Sequence, residues 1–254
     1  MVSNERDGQS PKASLTGVEE PKQSATALRP IGNISTVIFD LDGTLIDSAL
    51  DLLAALNRVL AEFNRPPQTR EMVVGMIGNG AAKLVERALE ATGGLVETRD
   101  GEETPFQRFM HHYKSAPAVQ TAPYPGVEDA LEALAQRGVH MAVCTNKPHA
   151  LSVTILEALG LSRFFRHVSG GDSVPVRKPH PGHLLSVMQA LGVNRAEVAM
   201  VGDSITDVTA AKAVPIPVVA VTYGYSKVPV NSLGADFVID SFATLPLALA
   251  AVGR

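Results

Sequence analysis

Apolar positions along the chain follow two rhythms. Residues 34 to 39 (Ile34, Ser35, Thr36, Val37, Ile38, Phe39) are apolar or β-branched with almost no alternation, the pattern of a parallel strand covered on both faces. The run stops at Asp40-Leu41-Asp42-Gly43-Thr44, where an Asp-Gly pair marks the turn. Leu52, Leu53, Leu56, Leu60 and Phe63 then recur at helical spacing, which predicts an amphipathic helix over 48–64, ended by Asn64-Arg65-Pro66-Pro67. Helical spacing persists from 69 to 116, through Val74 and Ile77, then Leu84, Val85, Ala88 and Leu89, then Phe106, Phe109, Met110 and Tyr113. A glycine- and acid-rich loop at 93–104 separates the last two of these helices, and no strand pattern interrupts the interval.

Alternation of strands and helices resumes at Pro123-Tyr124-Pro125-Gly126. It predicts helices over 127–137, 149–159, 181–191, 204–213 and 243–252, and strands over 139–144, 198–201, 218–221 and 236–239. The expected fold is α/β, a doubly wound parallel sheet with a helical block inserted after its first strand. The chain therefore divides into a catalytic core of residues 30–48 and 118–254, a helical cap of residues 49–117, and a disordered tail of residues 1–29. The tail is rich in Ser, Pro, Glu, Lys and Gln.

Composition narrows the function. With 254 residues, 45% of them apolar, the chain can bury one sizeable core plus a smaller lid. A net charge of −4 without a basic cluster argues against a nucleic-acid partner and for a small molecule. The single cysteine, Cys144, excludes an internal disulfide and fits a reducing compartment. No apolar run approaches the ~18 residues of a membrane span, and residues 1–29 lack the apolar middle of a secretory signal. A cytoplasmic location away from membranes is expected; the oligomeric state is left open.

The chemistry lies in what ends each strand. The first ends in Asp40 and Asp42, the second in Thr145-Asn146, and the third in Gly202-Asp203-Ser204-Ile205-Thr206-Asp207, while Lys178 stands in a loop between the last two. A strand followed by a turn of solvated acids would explain the first segment alone, but not three polar strand ends on one edge of the sheet. Asp40, Asp42, Asp203 and Asp207 against Lys178 leave a charge of −3. One like-charge pair at ~5 Å costs roughly 3 kcal/mol at an effective dielectric near 20. A phosphate dianion would be repelled unless a divalent cation were present, and an all-oxygen ligand set points to Mg2+.

In their order and spacing, Asp40-x-Asp42-Gly43-Thr44, Thr145-Asn146, Lys178-Pro179 and Gly202-Asp203-x-x-x-Asp207 resemble the four motifs of the haloacid-dehalogenase-like phosphatases, over residues 34–254. The resemblance implies a Rossmann-like core with an inserted cap, and an aspartyl-phosphate mechanism acting on a small phosphate monoester. Asp40 would be the nucleophile, and Asp42 the acid that protonates the leaving oxygen and then activates water. Thr145, Asn146 and Lys178 would hold the phosphoryl oxygens. Asp203, the Asp40 side chain and the Asp42 carbonyl would hold Mg2+, with Asp207 orienting metal ligands. Gly78-Asn79-Gly80, Tyr124-Pro125-Gly126-Val127, Thr145-Asn146-Lys147-Pro148, Gly170-Gly171-Asp172, Lys178-Pro179-His180-Pro181 and Thr222-Tyr223-Gly224-Tyr225 are similar to the bacterial phosphoglycolate phosphatase group. Ala213-Val214-Pro215-Ile216-Pro217 departs from it. Sugar-phosphate phosphatases, pyrophosphatases and phosphoglucomutases share the same core motifs.

If the cap covers the carboxylates, substrate choice should reside in cap residues. The polar turn Gly78-Asn79-Gly80, with Lys83 one turn later, is the expected reader of a substrate carboxylate. Gly75-Met76-Ile77-Gly78-Asn79-Gly80 is not a nucleotide loop, since Ala81 stands where a Walker lysine would be. Cys144 reads as core, because Ala150 occupies the arginine position of a cysteine phosphatase. The histidines lack metal-ligand spacing, His180 beside Lys178 being the one near the chemistry. Two readings from other classes are a signalling receiver and a catalytically idle binding protein; a receiver lacks the helical insertion, and the full set of reactive residues argues against the second.

Overall fold

The computed structural model describes residues 1–2 and 31–253, so the tail expected over residues 1–29 lies almost wholly outside the described residues. The first strand, β1, spans Thr36–Phe39 and is followed by a two-residue strand, β2, Ile46–Asp47. Four helices come next: α1 Ala49–Glu62, α2 Arg70–Val74, α3 Ala81–Ala91 and α4 Pro105–Ser115. The remainder alternates as β3 Ala122–Pro123, α5 Val127–Gln136, β4 His140–Cys144, α6 His149–Ala158, β5 His167–Ser169, α7 Pro181–Leu191, β6 Val198–Gly202, α8 Ile205–Ala213, β7 Val218–Val221, β8 Phe237–Ile239 and α9 Leu245–Val252.

Six strands form one parallel sheet in the order β5-β4-β1-β6-β7-β8. Period-two alternation assigns side chains to its two faces. Val37, Phe39, Met141, Val143, Ala199, Val201, Val219 and Val221 join one apolar cluster, with Leu131 of α5, Ile155 of α6 and Leu249 of α9. Ile38, Ala142, Cys144, Val198, Met200, Val218 and Ala220 join the other, with Leu184 of α7 and Val208 of α8. Both faces are covered, which is why these strands read as unbroken apolar runs. The sequence pattern did not announce β5, because three half-covered edge residues carry no periodicity. It did not announce the β2–β3 pair either, two residues on each side and one of them Pro123.

That short antiparallel pair marks where the chain leaves the sheet and returns. Between its strands α1 to α4 pack on one another through Leu56, Leu60, Leu84, Ala88, Phe109 and Tyr113, all buried. Thr104 opens α4 with a capping box, its hydroxyl accepting from the Gln107 backbone amide while its own N–H donates to the Gln107 side-chain oxygen. Among the described residues no helix is long and apolar enough to cross a membrane.

Asp51, in the first turn of α1, fastens the return. Its carboxylate accepts from the amides of Gln120 (3.0 Å) and Thr121 (2.8 Å) and from the Thr121 hydroxyl (2.6 Å), and only 4% of the residue is exposed. Its charge also sits at the positive end of α1. Asp51→Ala should lower stability by about 2–4 kcal/mol, because it leaves buried donors without acceptors. Equilibrium urea unfolding reads this as a lower midpoint at unchanged slope; an unaltered midpoint would show that Asp51 does not hold the return segment.

Candidate active site

The chain winds one way from β1 through β4 to β5 and the other way from β6 through β7 to β8, so the strand order reverses between β1 and β6 and the sheet opens a crevice at its carboxyl ends. A cavity of about 60 Å³ occupies that crevice. The sheet side contributes Asp40, Asp42, Thr145, Asn146, Lys147, Asp203, Ser204 and Tyr225, and the helical layer covers it with Leu52, Ile77, Gly78, Gly80, Ala81, Leu84 and Tyr113. The polar groups thus line one wall and the apolar groups most of the other.

Lys178 lies beneath the cavity, buried to 1% exposure. Its ammonium is 2.6 Å from an Asp207 oxygen and 3.0 Å from an Asp40 oxygen. Burial opposes its charge, but Asp207 and Asp40 outweigh burial and hold it protonated above the usual lysine range. Burial pushes Asp40 up to about 6, with Lys178 pulling the other way. Asp203 is raised well above the carboxylate range by burial and by the charges of Asp207 and Asp40. Oxygens of Asp40, Asp203 and Asp207 lie within 4.8 Å of one another. Three crowded, buried carboxylates facing one ammonium fit a hard divalent cation, since hard oxygen donors and excess negative charge are what Mg2+ requires.

Asp42 lines the same cavity but faces another cation. The Lys147 ammonium donates to its two oxygens at 3.0 and 3.2 Å, and the Ser48 hydroxyl donates to it at 2.5 Å. Its side chain therefore stands apart from the Asp40–Asp203–Asp207 cluster. Lys147 is 5% exposed and also donates to the Tyr113 hydroxyl of α4 at 2.6 Å. Burial opposes its charge, but Asp42 and Tyr113 hold the ammonium above its usual range. Nothing in the sequence marks Lys147 as a partner of Asp42, although it stands three residues beyond the end of β4 in Thr145-Asn146-Lys147-Pro148. Including it changes the charge count: four carboxylates against two ammonium groups leave −2, which one divalent cation cancels.

Tyr225 links the cluster to the start of the helical layer. Its amide donates to Asp203 at 2.5 Å, while its hydroxyl accepts from the Ser48 and Ala49 amides and donates to Asp47 at 2.6 Å. The segment passes this close because Gly224 has no side chain; a Cβ there would lie 2.3 Å from the Cβ of Asp203. Gly43 meets the same demand, with φ of +86° and a would-be Cβ 2.5 Å from an Asp203 oxygen. Asp207 is held in place by the Ser204 amide and hydroxyl at 3.1 and 2.6 Å, as the third residue of the capping box that opens α8.

The remaining expected site residues divide. Thr145 lines the cavity, its hydroxyl oxygen accepting from the Lys147 amide. Asn146 lines it too, but both protons of its side-chain amide go to backbone carbonyls, of Gly78 at 3.0 Å and Lys178 at 2.9 Å. In this conformation the Asn146 side chain braces the helical layer and the Lys178 loop and has no proton left for a phosphoryl oxygen. Gly78 and Gly80 form part of the cavity wall. Asn79 and Lys83 do not: the Asn79 oxygen accepts from Arg87 at 2.6 Å, and Lys83, half exposed, pairs with Glu86 at 2.5 Å. The carboxylate reader expected at Asn79 and Lys83 is therefore absent from the cavity wall. Helix direction is the cause, since α3 begins at the cavity and Lys83 points away from it. His180 accepts from the Gly182 amide and starts α7, while Cys144 is fully buried, its thiol pushed by burial up to about 12.

Known proteins resemble this chain in sequence and fold. Residues 37–221 match the sequence model of the family described as haloacid dehalogenase-like hydrolase. The chain is 46% identical to a phosphoglycolate phosphatase of Rhodospirillum rubrum, over 82% of this chain and 88% of that one. It is 40% identical to one of Agrobacterium fabrum, over 87% and 94%. A crystal structure described as a predicted phosphoglycolate phosphatase from Haemophilus somnus superposes with a TM-score of 0.80 at 33% identity, covering 85% of this chain and 98% of that one. Every site residue described above, apart from those of the last strand-end segment around Tyr225, lies within the matched span. The chain belongs to the haloacid dehalogenase-like hydrolase family.

Proposed function

We propose that the protein is a phosphatase that hydrolyses 2-phosphoglycolate to glycolate and phosphate through an aspartyl-phosphate, with Mg2+ bound by Asp40, Asp203 and Asp207. The observation that carries the chemistry is the pairing of two carboxylates, in one cavity, with two separate buried ammonium groups: Asp40 with Lys178 and Asp42 with Lys147. Such a pair can divide labour, one acting on phosphorus and the other on protons. The substrate is supported by the relatives named phosphoglycolate phosphatase and by the small cavity. Residues 49–117 act as a cap that shuts the cavity from bulk water. The reaction takes place in the cytoplasm, where a lone buried cysteine stays reduced.

The Asp40 carboxylate attacks phosphorus as the ester oxygen leaves, and that oxygen takes a proton from Asp42, which enters the step in its acid form. Lys178 and the Thr145 hydroxyl meet charge on the transferring oxygens. Asp42, now a carboxylate, removes a proton from water, the resulting hydroxide attacks phosphorus, and the Asp40 carboxylate is released with phosphate. When bound, the cation supplies charge neutralisation on the phosphoryl oxygens and on the buried acids. Lys147 and Ser48 keep Asp42 pointed at the leaving oxygen, and Asp207 keeps Lys178 beside Asp40.

Asp40→Asn should fold like the parent yet lose turnover by several orders of magnitude, since an amide is a poor nucleophile. Steady-state hydrolysis of 2-phosphoglycolate with Mg2+ measures this, and parental rates in a clean preparation would remove Asp40 from the role. Chelation of divalent ions should abolish turnover and Mg2+ should restore it.

Burial of Asp40 also makes metal binding pH-dependent. Its folded value near 6 lies above the free value of 3.8, so between those limits the folded state holds a proton that the unfolded state has lost. The penalty on the ionised acid is absent below about 4 and complete above about 6, and only there can a cation relieve it. The rise in Tm on adding Mg2+ should accordingly be small at pH 5 and several degrees at pH 7.5. Asp40→Asn should flatten that difference. An equal Mg2+ effect at both pH values in the parent would contradict the charge argument.

A further inference from the structure

An enzyme that separates phosphoglycolate from other small phosphates must read its carboxylate, and neither Asn79 nor Lys83 lines the cavity. We propose that Lys147 and Tyr113 form the carboxylate site, the ammonium donating to one oxygen and the phenol to the other. The assignment rests on the phosphoglycolate reading and names the residues that would give it its selectivity.

Three observations converge on the pair. Lys147 is the one cationic side chain among the described residues that line the cavity, Lys178 lying beneath it. Lys147 and Tyr113 are neighbours at 2.6 Å, each 5% exposed or less, and the phenol has a donor left over. The ammonium protons meet both Asp42 oxygens, at 3.0 and 3.2 Å, and the Tyr113 oxygen, and the 3.2 Å contact is the one a substrate carboxylate would replace. The phenol accepts from Lys147, and its own proton has no acceptor among the described residues. Burial pushes the Tyr113 hydroxyl up to about 12, so it keeps that proton. Two donors held side by side suit the two oxygens of a carboxylate, and hydrogen bonds to a charged group in a buried site are the strong kind.

Substrate length points to the same place. In 2-phosphoglycolate one methylene separates the ester oxygen from the carboxyl carbon, so the group that reads the carboxylate must sit next to the acid that serves the ester oxygen. Lys147 is the cation in contact with Asp42, at 3.0 Å. Asp42 is also the nearest like charge, and the ammonium placed between the two carboxylates screens one from the other. Because Tyr113 comes from α4 and Lys147 from the loop after β4, the site exists only while the helical layer covers the sheet. A phosphate ester without the carboxylate would fill the phosphoryl site and leave the buried Tyr113 proton unmet.

The test uses the full-length chain with Mg2+ and compares kcat/KM for 2-phosphoglycolate with that for 2-hydroxyethyl phosphate, in which a neutral hydroxymethyl replaces the carboxylate. The parent should favour phosphoglycolate strongly. Tyr113→Phe, which keeps the ring in the core, should lower the ratio of the two values roughly tenfold, chiefly through KM for phosphoglycolate. Lys147→Gln should lower the ratio further, and Lys147→Arg should restore most of it. If the parent discriminates and both Tyr113→Phe and Lys147→Gln lose the two activities in equal proportion, the pair is structural and the assignment falls while the phosphoglycolate reading stands. A parent that does not discriminate overturns that reading, and this assignment with it. Should Lys147→Gln fail to fold, the Tyr113→Phe ratio decides alone.

Discussion

Four carboxylates at one buried edge of a sheet repel one another, and the architecture around them answers that repulsion. Two lysines arriving from different loops meet three of the acids, Lys178 taking Asp40 and Asp207 and Lys147 taking Asp42, while Asp203 accepts from the Tyr225 amide. Neither ammonium could be buried without its partners, and removing one partner from such a pair leaves an uncompensated charge. Lys178 in turn depends on Asn146, which grips the Lys178 carbonyl, and Asp207 depends on the capping box at the head of α8. The residual negative charge is the reason the site suits a divalent cation, while burial, with the neighbouring acids adding to it, raises Asp40 and Asp203.

The same constraint explains why the cover is built from helices and not from a loop. A dry cavity strengthens every charge–charge term inside it, favourable and unfavourable alike, so the lid must bring apolar bulk together with a few matched polar groups. Leu52, Ile77 and Leu84 supply the bulk, and Tyr113 and the Gly78 carbonyl supply the matches, to Lys147 and Asn146. The two polar contacts across the cavity join the helical layer to residues of one loop, the segment after β4. Closure of the layer and the arrangement of that loop are therefore linked through these two hydrogen bonds.

The local patterns in the chain already determined the doubly wound sheet, the place of the helical insertion and the strand-end positions of Asp40, Thr145 and Asp203. Period-two and period-3.6 rhythms need only neighbours in the chain, and buried parallel strands leave long apolar runs that end abruptly where ligands bind. Where the rhythm was too short it was silent: β5 and the β2–β3 pair exist because longer strands and the crossing segments offer them partners. The four acids and Lys178 were legible as a group because each sits in a motif at the end of a predicted strand or beside one.

Through-space partners of polar side chains could not be read in the same way, because a lysine in a loop carries no mark of which carboxylate it will meet. Lys147 lay in plain view beside Asn146, yet its pairing with Asp42 and Tyr113 joins segments 105 and 34 residues apart. Asn79 and Lys83 had the right chemistry at the right turn, but the axis of α3 sends one to Arg87 and the other to Glu86. Sequence by itself determined which elements form and which reactive residues end them, since both follow from local periodicity. Only the tertiary structure decided how the charges are shared among those residues, since that depends on distances between segments which the packing of helices against the sheet sets.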